Sequence, residues 1–156
     1  MKIVKSSEVA WADAMNKGAF GQRRKELGST GKLSAGLWEL PPGKKSFPFH
    51  MHYVTEEALF VVSGSAKVRT PEGLTPIGAG DWVMFPPGAG AHQLVNDGSE
   101  ALVYLALGVS SGVDIVEYPD SGKVASAIHA GPERKRFIFR KDSQVEYFAG
   151  EDDANG

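Results

Sequence analysis

Cysteine is absent from the 156-residue chain, which excludes disulfides and thiolate metal sites and fits a reducing compartment such as the cytoplasm. No apolar stretch approaches the ~18 residues of a membrane-spanning helix. The opening Met-Lys-Ile-Val-Lys-Ser-Ser-Glu-Val-Ala lacks the apolar run of about 7–15 residues that a signal peptide needs. A soluble, cytoplasmic protein without a membrane partner is expected. An excess of one charge is lacking too: 17 Lys and Arg against 19 Asp and Glu give a net charge of −2. That removes the usual electrostatic case for binding nucleic acid or an anionic surface. The basic clusters Arg23-Arg24-Lys25, Lys44-Lys45 and Arg134-Lys135-Arg136 read as solvated loops, and Glu151-Asp152-Asp153 as a solubilising tail. Helical patterning is scarce, and residues 7–15 are the one place where a short helix is expected.

Glycine and proline, by contrast, are plentiful, at 19 and 9 residues. They punctuate short apolar runs at close intervals. Residues 33–37 alternate and continue through Trp38-Glu39-Leu40 to the breaker Pro41-Pro42-Gly43. Residues 58–62 form a continuous apolar run ending at Gly64, and Ala66-Lys67-Val68-Arg69 alternates into the turn Pro71-Glu72-Gly73. Trp82-Val83-Met84-Phe85 runs into Pro86-Pro87-Gly88, and residues 101–107 are apolar on both faces, as in a strand buried within a sandwich. Such spacing predicts an all-β sandwich or barrel. A single domain over residues 1–156 is expected, with a barrel core at about 33–108. An N-terminal arm over 1–32 is irregular between residues 18 and 31, and an extension over 109–156 adds a strand or two at Val113-Asp114-Ile115-Val116-Glu117-Tyr118 and Arg136-Phe137-Ile138-Phe139-Arg140.

Of four histidines, three fall in one constellation: His50-Met51-His52, then Glu57, then His92. Side chains two apart on a strand share a face, so His50 and His52 point the same way. A carboxylate just beyond and a third imidazole from a later strand can close a metal site of three nitrogens and one oxygen. Burying those groups unpaired would be costly, and a divalent cation removes the cost. Glu56 and Glu57 compete for the carboxylate position. Glu57 is favoured because it shares a strand face with Leu59 and Val61, and Glu56 is then a candidate acid–base group beside the site. Asn96 shares the face of His92 and Leu94, where it could bond within the pocket or cap a turn at Asp97-Gly98. His129 stands apart and reads as a surface or packing residue.

Gly43-(six residues)-His50-Met51-His52-(four residues)-Glu57-(six residues)-Gly64 resembles the first motif of the cupin superfamily. Gly80-(five residues)-Pro86-Pro87-Gly88-(three residues)-His92-(three residues)-Asn96 resembles its second. Two spacings, Gly43 to His50 and Gly88 to His92, are one residue longer than the usual pattern. The resemblance covers about residues 33–108. It implies a double-stranded β-helix, a jelly-roll barrel, with His50, His52, Glu57 and His92 as ligands in its mouth. Val116-Glu117-Tyr118-Pro119-Asp120-Ser121-Gly122-Lys123 is similar to a segment of small bacterial cupins, some of which carry sugar-phosphate-isomerase labels.

The donor set suits one divalent Zn, Ni or Fe, and Mn is compatible. Four protein ligands on an octahedral cation leave two positions for water or a small-molecule ligand. A metal-dependent enzyme acting on a sugar derivative or organic acid is therefore expected, through isomerase, dioxygenase or decarboxylase chemistry. Gln93, Asn96 and Tyr104 are candidates for support. The alternatives are a non-catalytic binder of a sugar-like ligand and a sensor or regulatory module, since fold alone does not settle function. Trp11, Phe20, Phe137, Phe139, Tyr147 and Phe148 offer more aromatic surface than one small barrel needs, which predicts a homodimer.

Overall fold

Alternation decides what each strand buries. In the segment from Glu56 to Ser63, Leu59 and Val61 are buried while Phe60 and Val62 are exposed, because successive Cβ atoms take opposite sides of the pleat. The computed structural model describes residues 1–128 and 135–151. The strands there are β1 (Ala12–Lys17), β2 (Phe20–Ser29), β3 (Leu33–Leu40), β4 (Met51–His52), β5 (Glu56–Ser63), β6 (Ser65–Thr70), β7 (Gly73–Gly78), β8 (Trp82–Phe85), β9 (Gln93–Val95), β10 (Leu102–Val109), β11 (Val113–Tyr118), β12 (Lys123–Ile128) and β13 (Lys135–Arg140). They pair as a six-stranded sheet β1-β2-β3-β10-β5-β8, a four-stranded sheet β13-β12-β11-β4 and a three-stranded sheet β7-β6-β9. The only helical pieces among the described residues are three 3₁₀ turns of three residues each. This is the all-β, double-stranded β-helix expected. No helix among the described residues is long and apolar enough to cross a membrane.

Leu40, Leu59, Val61, Ala66, Val68, Ile77, Leu94, Leu102 and Tyr104 form the buried core, with Trp38, Val83 and Phe85 packed against it. Asn96 ties together the loops beside it. Asn96 Nδ2 donates to the carbonyls of Leu40 and Glu100, at 2.9 and 2.8 Å, while its Oδ1 accepts from Gly98 N–H at 3.0 Å. Asn96 therefore caps the 97–98 turn and does not reach the pocket. Gly64, which joins β5 to β6 at φ +77°, is required for a second reason. A Cβ there would lie 2.2 Å from the Ala101 carbonyl oxygen.

The arm differs from expectation. In place of a helix over residues 7–15 there is a 3₁₀ turn at Ser6–Glu8 followed by β1. The irregular stretch from 18 to 31 is mostly β2, ten residues long. A nine-residue helix is marginal in isolation, whereas a hairpin here extends an existing sheet through β3. Gly18, at φ 59°, is followed by Ala19 with no positive φ, and Lys17 pairs with Phe20. That is the signature of a two-residue type II′ turn. Arg23, Arg24 and Lys25 consequently lie on a strand, not in a loop, as do Lys135 and Arg136 on β13. Arg23 binds Glu39, and Lys25 lies over the Trp11 ring. Arg134 and His129 lie outside the described residues.

The C-terminal extension supplies more than a strand or two. It folds as β11, a 3₁₀ turn at Pro119–Ser121, β12 and β13, and β11 pairs directly with β4, His52 opposite Val116.

Candidate metal centre

His50 and His92 meet across a bridge in which the two residues exchange both backbone hydrogen bonds, at 3.2 and 2.8 Å. Two residues further on, β4 presents His52, and β5 presents Glu57 from the inward face it shares with Leu59 and Val61. The four side chains converge. Glu57 Oε2 lies 3.2 Å from His92 Nε2, 3.5 Å from His52 Nε2 and 3.8 Å from His50 Nε2. Among the described residues, ligand atoms of His50, His52 and Glu57 all lie within 4.8 Å of one another, a group that could hold a metal ion.

The far ring nitrogens decide what the near ones can do. His50 Nδ1–H donates to the Pro48 carbonyl at 2.8 Å, and His52 Nδ1–H donates to Asp114. Each bond fixes the tautomer that leaves an Nε2 lone pair facing Glu57. His92 is held differently, by stacking on Phe85 at 3.8 Å between centroids and 11° between planes, while its buried Nδ1 has no hydrogen-bond partner. Burial, reinforced by His92, pushes the His50 imidazole down to about 4, so it is neutral at neutral pH, as a ligand must be. Burial pushes the Glu57 carboxyl up. The His92 hydrogen bond and the surrounding imidazoles outweigh that and hold it below the ordinary carboxylate range. Three aimed imidazoles and an ionised carboxylate are a donor set that fits a divalent cation.

Asp114 was not singled out from the sequence. It is almost fully buried on β11, and besides His52 it accepts the backbone N–H groups of Val54 and Thr55, at 3.0 and 3.3 Å. Burial raises its carboxyl, but the bonds to His52 and Thr55 leave it below its ordinary value. The available signal was its position two residues before Val116, on the face that turned out to be inward, with Val113 and Ile115 exposed.

Glu56 is exposed and on the opposite side of β5 from Glu57, so the structure does not bring it to the imidazoles. Gln93 is used elsewhere, donating to the Phe47 carbonyl at 2.8 Å. Tyr104 donates to Gln22 at 2.6 Å and lines a barrel cavity of about 160 Å³ together with Glu57. Burial and the nearby Glu57 push its hydroxyl well up, so it stays protonated. The cavity that faces both His52 and Glu57 measures about 350 Å³ and is polar-walled. A larger one, about 470 Å³, lies against β8 and touches the centre only at His92.

The family model for the cupin domain matches residues 36–108. Residues 36–108 are a cupin domain. The chain is similar in structure to a protein of Acidithiobacillus ferrooxidans provisionally named a sugar phosphate isomerase, at 29% identity and TM-score 0.79, covering 90% of each chain. A sugar phosphate isomerase of the cupin superfamily from Silicibacter pomeroyi shares the fold at 21% identity and TM-score 0.77, covering 93% of this chain and 96% of that chain. A Thermotoga maritima protein named as a predicted oxalate decarboxylase aligns at 25% identity and TM-score 0.62, over 70% of this chain and 99% of that chain. No curated protein matches the chain. The first two alignments cover more of the chain than the matched domain does.

Proposed function

We propose that this protein is a metal-dependent enzyme acting on a small oxygenated metabolite, a sugar derivative or organic acid, at one divalent cation per chain. His50, His52, Glu57 and His92 would hold the cation, which is Zn, Ni, Fe or Mn. The observation that carries this reading is the convergence of three Nε2 atoms on one carboxylate oxygen, at 3.2, 3.5 and 3.8 Å, beside a polar cavity. When bound, such a cation acts as a Lewis acid toward a hydroxyl, carbonyl or carboxylate oxygen and lowers the pKa of water. The chain's own residues do the positioning. Pro48 and Asp114 orient His50 and His52, Phe85 fixes the plane of His92, and Tyr104 keeps a protonated hydroxyl on the barrel side of Glu57. The names of the similar structures, sugar phosphate isomerase and oxalate decarboxylase, fit a substrate rich in oxygen. A homodimer is part of the proposal, because the aromatic residues of β13 and of the chain beyond it are exposed.

A non-catalytic binder is the second reading, and one observation favours it. Among the described residues lining the cavity, the carboxylates are Glu57 and the His52-bound Asp114, which leaves no free carboxylate to carry a proton. The deciding experiment loads the protein with each metal, confirms stoichiometry by elemental analysis, and screens hydroxy-acids, keto-acids and sugar phosphates. Turnover that disappears on chelation and returns with metal is expected. Ligand binding without turnover across the screen would favour the binder, and absence of stoichiometric metal from every preparation would overturn the metal-dependent reading.

A further inference from the structure

We infer that the cavity beside His52 and Glu57 binds an oxyanion, the phosphate or carboxylate end of a substrate, through Lys32 and Arg136. The inference rests on the proposed metal site only in placing that oxyanion next to a reacting centre. Both cations line the same cavity of about 350 Å³ as His52 and Glu57. They arrive from opposite ends of the chain. Lys32 sits in the β2–β3 turn, whose backbone is held by Thr30 N–H donating to the Leu33 carbonyl and Ser110 N–H donating to the Lys32 carbonyl, both at 2.9 Å. Arg136 sits on β13, opposite Ala127 of β12.

Several other cations of this chain are engaged, Arg23 with Glu39, Lys67 with Asp97, Arg69 with Asp120 and Lys141 with Glu117. Among the described residues, the side chains of Lys32 and Arg136 have no ion pair or hydrogen bond. A second observation points the same way. The Ser110 hydroxyl lines this cavity, is buried, and lacks a hydrogen-bond partner. A buried hydroxyl left unpaired costs free energy that an acceptor oxygen of a ligand would recover. Charge balance completes the case. Lys32 and Arg136 offset Glu57 and Asp114 in the cavity wall, so a divalent cation would leave the region at +2, which favours an anionic occupant.

Titration calorimetry with two probes, inorganic phosphate and glycolate, tests this on metal-loaded wild type, Lys32→Ala, Arg136→Ala and the double variant. Arg140→Ala, on the same strand but outside the cavity, controls for general loss of positive charge. The double variant should keep full metal content and lose at least tenfold in affinity for one or both probes, while Arg140→Ala changes little. A larger loss for phosphate identifies a phosphate ester as the substrate class, and a larger loss for glycolate identifies a carboxylate. Unchanged affinity for both probes in the metal-loaded double variant would overturn the inference and leave the metal site standing. Should wild type fail to load metal, the same titration on metal-free protein separates the two. A wild-type advantage there keeps the oxyanion subsite and rejects only the metal reading, and no difference rejects both.

Discussion

The buried carboxylate of Asp114 accepts the Nδ1 proton of His52, a residue 62 positions earlier in the chain. The bond joins the C-terminal extension to the centre of the cupin motif. It does in side chains what the β4–β11 pairing does in backbone. Asp114 thereby sets the tautomer of His52 and raises its basicity toward a metal, the usual role of a carboxylate behind a ligating imidazole.

Asp114→Asn should therefore weaken metal binding about 10–100-fold while leaving the four donor residues in place. Asparagine keeps the volume and can still accept from Val54 and Thr55 through its carbonyl oxygen. The fold should survive, as far-UV circular dichroism would show. Competition against a chelator measures the affinity directly, and wild-type affinity in this variant would mean that His52 needs no orienting partner.

Glu57 and Glu56 are adjacent, yet they sit on opposite faces of β5. Glu57→Gln should lose metal and any activity together, since the amide cannot supply the anionic oxygen on which the three Nε2 atoms converge. Glu56→Gln should keep both. Elemental analysis and the substrate screen check this pair. Loss of metal from Glu56→Gln, or full occupancy in Glu57→Gln, would reverse the assignment.

Much of this was legible in the sequence, and the boundary of legibility has physical causes. The i, i+2 spacing of His50 and His52, and the shared face of Glu57, Leu59 and Val61, are local consequences of the strand period, so they could be read directly. The same holds for the runs that became β3, β5, β6, β8 and β10. Asp114 could not be read in that way, because its role depends on β11 pairing with β4 across the chain. Its apolar neighbours Val113 and Ile115 point outward, so local hydrophobicity suggested the opposite orientation. The arm was misjudged for a similar reason. Residues 7–15 have modest helical propensity, but the hairpin at Gly18 gains a full edge of hydrogen bonds along β3, and tertiary pairing overrides weak local preference. Asn96 lies just past the end of β9, not on it, and its bonds to the Leu40 and Glu100 carbonyls and from Gly98 N–H decide for the turn cap over the pocket.

His50 sets a pH dependence for the metal-free protein. Its imidazole titrates near 4 in the folded state, against 6.5 ordinarily. Between those values the unfolded chain binds a proton that the native state does not, so stability falls as pH falls through the window. The full shift corresponds to about 3 kcal/mol. Glu57, held below its ordinary value, adds a loss of the same sign at the acid end. Melting of metal-free protein should drop by roughly 5–10 °C between pH 7 and pH 4.5, and His50→Gln should flatten the upper part of that slope. A melting temperature constant from pH 6.5 to 4.5 would show that His50 is charged in the folded state.

The last prediction concerns the edge of the four-stranded sheet. Among the described residues β13 pairs only with β12, and all six of its residues are exposed. Phe137 and Phe139 stack on one face with ring centroids 6.5 Å apart, and Ile138 points from the other, each with about half its surface open. Tyr147 and Phe148 add further exposed aromatic surface. A strand with apolar groups on both faces and an unpaired backbone edge favours association, and a second copy of the chain can cover it symmetrically. Light scattering on a sizing column should find a dimer at micromolar concentration. Phe137→Asp with Phe139→Asp should shift it to monomer with the β-sheet spectrum and metal content intact, because both residues are at least half exposed and lie outside the core cluster. A wild-type monomer, or a variant that remains dimeric, would show that this edge is not the contact between copies.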